Sequence, residues 1–148
     1  MKRIEELRPL SHEHHYVLQL SWKIRTGIKK GVELERIKNY TDWFYKNLLK
    51  AHMNAELEHV FPIIGLDHKL VKKALSHHRR LNKLFNDKGS LMRSLSLIEE
   101  ELETAVRFEE RILFKEIQEH TTEKDLDSLK TKLKRGKFEE NTSDEFWL

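Results

Sequence analysis

Two residue types that bind metals, His52 and Glu56, stand four apart in the stretch KAHMNAELEHVF, positions 50–61. On a helix that spacing puts both side chains on one face in adjacent turns, so one cation can take both. The same frame returns 53 positions later in TAVRFEERILF, positions 104–114. Glu56 then falls on Glu109, Val60 on Leu113, Phe61 on Phe114 and Ile64 on Ile117, but His52 falls on Ala105. The second copy of a ligand-bearing turn lacks its imidazole.

Two more segments carry ligand-type side chains on an apolar face. His14 is followed by Val17, and His78 by Leu81, each three residues on. His15 and His77 are the alternatives in those His-His pairs, with one member of each pair turned outward. An ionised carboxylate is very costly to bury without compensation. Glu56 and Glu109, on two different apolar stripes, therefore call for a positive charge. For any single histidine the plainer reading is a core or boundary residue. The joint pattern of His14, His52, Glu56, His78 and Glu109 points to a metal. Imidazole with carboxylate suits iron, manganese or zinc, and two carboxylates from opposed helices can bridge a metal pair. His12, His59, Glu116 and His120 gather toward one end, where surface histidines and an i,i+4 pair explain them better than a second site. His68 and Glu110 read as surface residues.

Long amphipathic helices must position these groups. Ser11 is the expected N-cap of a first helix that runs to about Ile28 and is closed by Gly31, with Val17, Leu18, Ser21, Ile24 and Ile28 on its stripe. A second helix is expected over 33–64, with Ile37, Tyr40, Phe44, Leu48, His52, Glu56, His59 and Ile63 facing inward. Pro62 should disturb its last turn, and Gly65 ends it. Asp67 is the expected cap of a third helix to about Phe85. Ser90 caps a fourth to about His120, with Leu91, Leu95, Ile98, Leu102, Ala105, Glu109, Ile112 and Glu116 on its stripe. Thr122 caps a short helix to about Leu133. The remainder, KRGKFEENTSDEFWL, reads as polar and loosely ordered apart from Phe146 and Trp147, which either fold back or contact another chain. Short connections between long helices predict an all-α, antiparallel up-down-up-down four-helix bundle over about 11–120, with a C-terminal extension over 121–148. The whole is expected to be one domain, 1–148.

Composition agrees. The 148 residues are 36% charged and 38% hydrophobic, with five Gly and two Pro, which favours few, long elements. No apolar run approaches the roughly 20 residues of a membrane span, and MKRIEELRPL holds no signal-peptide apolar region. With no Cys there is no thiolate site, and a cytoplasmic location is the default expectation. Net charge is +3. Lys69, Lys72, Lys73, Arg79, Arg80 and Lys83 form one basic run, and Lys130, Lys132, Lys134, Arg135 and Lys137 another. No aromatic residues interleave as stacking platforms, so these read as solvated faces, and neither nucleic acid nor membrane is an expected partner.

LSHEHHYVL, HMNAELEHVFP, LSHHRRLNKL and RFEERILF together resemble the hemerythrin-like HHE cation-binding family over about residues 8–120. The resemblance implies a left-handed four-helix bundle around a non-haem di-iron centre. One iron would take His14 and His52, the other a histidine from each of the third and fourth helices, with Glu56 and Glu109 bridging. Such proteins bind dioxygen, sense oxygen or iron, or handle nitric oxide and iron–sulfur repair. This chain departs from the family pattern at Ala105, where the fourth helix's histidine is expected, and at Leu57, where a second Glu is common. Ala74 and Asn82, one turn from His78, offer no imidazole. The resemblance therefore implies one well-held metal and a second that is weak or absent, with water or a rotated His77 as partial substitutes. The leading expectation is a metal-dependent module that binds or senses dioxygen or nitric oxide. The alternatives are an iron-handling or repair enzyme, and a structural relative without metal.

Overall fold

The computed structural model describes residues 2–148, and among them it is all helical, with no strand. After a short turn at Glu5–Leu7, α1 spans Arg8–Lys29. It starts three residues earlier than Ser11. Pro9 sits in its first turn, where a missing N–H costs nothing, and the Ser11 hydroxyl is used elsewhere. Gly31 closes the turn at φ 72°, in the left-handed region that favours glycine.

The second helical rod is continuous but not uniform. It comprises α2 (Leu34–Phe44), a wide turn at Tyr45–Leu49, α3 (Lys50–Ala55), a second wide turn at Glu56–Val60, and a tight turn at Phe61–Ile63 that contains Pro62. α4 spans Lys69–Phe85. His68, not Asp67, caps it: its Nδ1 accepts from the Leu70 amide at 3.1 Å. The fourth rod is α5 (Leu91–Phe108), a wide turn at Glu109–Leu113 and α6 (Phe114–Glu119). Ser90 caps it as expected. Thr122 and Asp125 form a reciprocal capping box for α7, Glu123–Lys132.

The wide turns explain where the expected stripes fail. The Phe61 amide donates to the Glu56 carbonyl and the Phe114 amide to the Glu109 carbonyl, five residues back in each case. Such a turn inserts one extra residue, so every later inward position moves along by one. Val60 and Phe61 are buried where His59 was expected. Leu113 and Ile117 are buried where Ile112 and Glu116 were expected, and Ile112 is 48% exposed. The two turns stand 53 residues apart, like the sequence frames that contain them.

α1 packs along α5 and against α2, and α4 packs along α5. The core falls into two apolar clusters. One is built on Val17, Leu20, Ile24, Phe44, Met53, Leu81, Leu102 and Ala105. The other holds Leu10, Val60, Phe61, Ala74, Leu113, Phe114 and Ile117. His14, Glu56 and His78 lie in sequence between residues of the two clusters, and His52 and Glu109 lie close to that boundary.

The tail is not loose. Leu133 and Phe146 are 2% exposed and Trp147 8%. Phe138 meets the rings of Tyr16, Trp43 and Phe44. Phe146 covers Gly27, where a Cβ would come within 2.7 Å of its ring. The Lys23 ammonium sits 4.0 Å over the Trp147 ring and donates to Glu140 at 2.6 Å. Polar residues with few apolar ones among them hid this, because each anchor pairs with a distant residue. No helix of the described residues is long and apolar enough to cross a membrane.

Candidate metal centre

His14, on α1, and His52, on α3, bring their Nε2 atoms to 3.0 Å from each other. Glu56 opens the wide turn just after α3, and Glu109 opens its counterpart after α5. An extra residue weakens helical hydrogen bonding, and such turns concentrate at functional sites. One ligand atom from each of His14, His52, Glu56 and Glu109 lies within 4.8 Å of every other, and all four residues are buried. His14 Nε2 is 2.9 Å from Glu109 Oε1 and 3.7 Å from Glu56 Oε2. His52 Nε2 is 3.5 Å from Glu56 Oε1.

His78, on α4, approaches from the other side. Its Nε2 is 2.9 Å from Glu109 Oε2 and 3.3 Å from Glu56 Oε1. Both glutamates thus lie between His78 and the His14–His52 pair. Ala105 lines the same small cavity, about 20 Å³, with Leu81, Leu102 and Val106. It offers no donor there. His15 faces solvent. His77 does not turn outward as its pair pattern predicts: it is 2% exposed. Its ring stands edge-on to Phe108, away from the cavity, and its Nδ1 has no partner.

The sequence reading missed two carboxylates. Glu13 is buried and accepts from His52 Nδ1 at 2.9 Å. Glu110 accepts from His14 Nδ1 at 2.6 Å and from the Ser11 hydroxyl at 2.8 Å, so it is not a free surface residue. Their signal was present: each adjoins a ligand-type residue in sequence. On a helix, though, adjacent residues point about 100° apart, and that made them look solvated. Ligating histidines commonly donate their second ring N–H to a carboxylate in this way, which fixes the tautomer.

With both Nδ1–H groups committed, each neutral ring carries a lone pair at Nε2. Two such lone pairs at 3.0 Å repel unless a cation lies between or beside them. Glu56 makes the same demand. It is 0% exposed, and neither carboxylate oxygen has a hydrogen bond; one oxygen of Glu109 is also unsatisfied. The His14 contact to that Glu109 oxygen is short, but its direction is wrong for a hydrogen bond. Two imidazoles and two carboxylates are a donor set that fits iron, manganese or zinc.

Protons are the competing cations. Burial works against a charged His14, but its close contact with Glu109 and its hydrogen bond to Glu110 outweigh it and raise its pKa to about 9. His52 rises to about 10 against the same burial, through the Glu56 charge and its bond to Glu13. His78 also reaches about 10, held by Glu109 and Glu56. Burial opposes the Glu109 charge, yet its contacts with His14 and His78 keep it well below the usual carboxylate range.

The second cluster considered from sequence does not assemble. His12 stands edge-on to Tyr16, His59 pairs with neighbouring Glu58 at 3.6 Å, and exposed His120 keeps only its i,i+4 contact with Glu116 at 3.6 Å; His68, read as a surface residue, is 4.0 Å from Glu116. No family model matches the chain, and no curated protein or solved structure matches it.

Proposed function

We propose that this chain is a hemerythrin-like, non-haem iron protein that binds or senses a small ligand such as dioxygen or nitric oxide. In this reading its four rods form an antiparallel up-down-up-down bundle. The observation that carries it is Glu56: a carboxylate at 0% exposure with no hydrogen bond to either oxygen, beside two imidazole Nε2 atoms. His14, His52, Glu56 and Glu109 would hold one ion. His78, with the same two glutamates, offers a second ion only three donors, because Ala105 stands where a further imidazole would reach. An iron ion held by four protein donors keeps coordination positions for a small ligand, and the apolar wall of Leu49, Met53, Leu81, Leu102 and Val106 favours a small uncharged one. The chain's own part is to hold the donors, fix the histidine tautomers and keep bulk water out.

The test is iron loading under anaerobic conditions, followed by ultraviolet-visible spectroscopy with and without dioxygen or nitric oxide. Ligand-dependent bands are expected, and failure to bind iron rejects the reading. One observation favours the alternative of a metal-free relative. His14, His52 and His78 can each hold a proton well above neutral pH, so the buried charges can balance without a metal. Equal melting with and without chelator would support that alternative, since an ion bound only to the native state must stabilise it.

A further inference from the structure

Both histidine–carboxylate pairs end on an arginine from outside the helical rods. Arg135, in the tail after α7, donates from Nε to both Glu13 oxygens, each at 3.1 Å. Glu13 accepts in turn from His52 Nδ1. In the segment before α1, Arg3 lies 3.3 Å from Glu110 Oε1 and also donates to Gln118 at 3.1 Å. Glu110 accepts from His14 Nδ1. The Arg3 guanidinium also sits 5.3 Å over the Phe114 ring, which stacks on His14 at 5.5 Å.

We propose that Arg135 and Arg3 are positioning residues of the metal centre: each acts through a carboxylate to fix one histidine with Nε2 toward the ion, so metal retention depends on the two docked segments that carry them. The inference rests on the metal-binding reading above. The physical argument concerns rotation about the histidine side chain. A buried imidazole held only by a metal bond can swing; one whose far nitrogen is tied to a carboxylate cannot. A lone carboxylate at the rod surface would itself choose among rotamers and water. The Arg135 contact to both oxygens of Glu13 removes that choice. Glu13 is 7% exposed, so without Arg135 its charge would be left facing His52 alone. The tail brings Arg135 into place through apolar anchors remote from the centre: Phe138 on Tyr16 and Phe146 on Gly27.

The probe is cobalt(II), and the readout is its release rate to excess chelator, followed by its visible absorption, beside the melting temperature of the metal-free protein. Removing a supporting partner of a metal ligand costs roughly 10–100-fold in affinity. Arg135→Gln should therefore release cobalt about tenfold faster, with unchanged helicity. Arg135→Lys, which keeps the charge but not the planar contact, should fall between the two. Glu13→Gln should match or exceed Arg135→Gln, and the double variant should be no worse than Glu13→Gln alone, because both act on His52 by one route. Arg36→Gln removes an exposed ion pair to Asp144, at 2.7 Å and nine residues beyond Arg135, without touching the aromatic anchors, and should leave the rate unchanged. Release from Arg135→Gln at the wild-type rate overturns the inference. So does equal acceleration by Arg36→Gln, which would make the tail a mere cover. If the wild-type protein binds no cobalt, the metal-binding reading fails and this inference with it.

Discussion

His14 Nε2 and His52 Nε2 face each other at 3.0 Å from separate rods, and each ring's Nδ1 already donates to a carboxylate. Neither ring can relieve that contact by changing tautomer. A proton or a metal ion must supply the missing positive charge, and the Glu56 oxygens, which have no hydrogen bond, make the same demand.

Glu56→Gln tests that demand. It keeps the shape and removes the charge. Metal affinity should fall by more than the roughly 10–100-fold that losing a supporting partner costs. Calorimetric titration with iron(II) or cobalt(II) reads it directly. Affinity within a factor of two of wild type would show that Glu56 is not a ligand.

Ala105→His supplies the imidazole absent from the repeated frame. Ala105 is 5% exposed beside a small cavity, so the larger side chain should lower the stability of the metal-free protein by about 1–3 kcal/mol. With metal present the stoichiometry should rise from one ion per chain toward two. Elemental analysis with paired chemical denaturation, with and without metal, separates the two effects.

Metal-free protein should lose stability as pH rises, whereas metal-loaded protein should hold its melting temperature nearly level. The folded-state pKa values of His14, His52 and His78 lie at about 9, 10 and 10, above the ordinary 6.5. A raised pKa means that protonation favours folding. That contribution is complete below about pH 6.5 and is lost as pH climbs through 9 and 10. The metal-free protein should therefore melt at lower temperatures as pH goes from 7 to 9. Metal binding must displace those protons, so apparent affinity should rise over the same interval. Melting scans at three pH values, with chelator and with metal, check both slopes.

Gly27→Val tests how the tail docks. A Cβ there meets the Phe146 ring at 2.7 Å and Ile37 Cδ1 at 2.9 Å, so the ring must move. A destabilisation of about 1–3 kcal/mol is expected, with a red-shifted Trp147 fluorescence as its indole leaves Tyr40 and Lys23.

Much of this was legible from apolar spacing and caps. Helical rods bounded by Gly31, Gly65, Ser90 and Thr122 follow from short-range signals, and so does the placing of His14, His52, Glu56, His78 and Glu109 on inward faces. What spacing could not carry was a change of period. The wide turns at Glu56 and Glu109 shift each later inward position by one, so Val60 replaces His59 and Leu113 replaces Ile112. Pairings across the chain were equally hidden. Nothing near Glu13 in sequence announces Arg135, 122 residues away, and nothing near Lys23 announces Glu140.

The most direct test is metal content. Protein purified anaerobically from iron-replete cells should carry close to one tightly bound ion per chain, lost when Glu56 is replaced by Gln. Two tightly bound ions per chain would contradict the account at Ala105, and none, even after reconstitution with iron(II), would contradict it at Glu56.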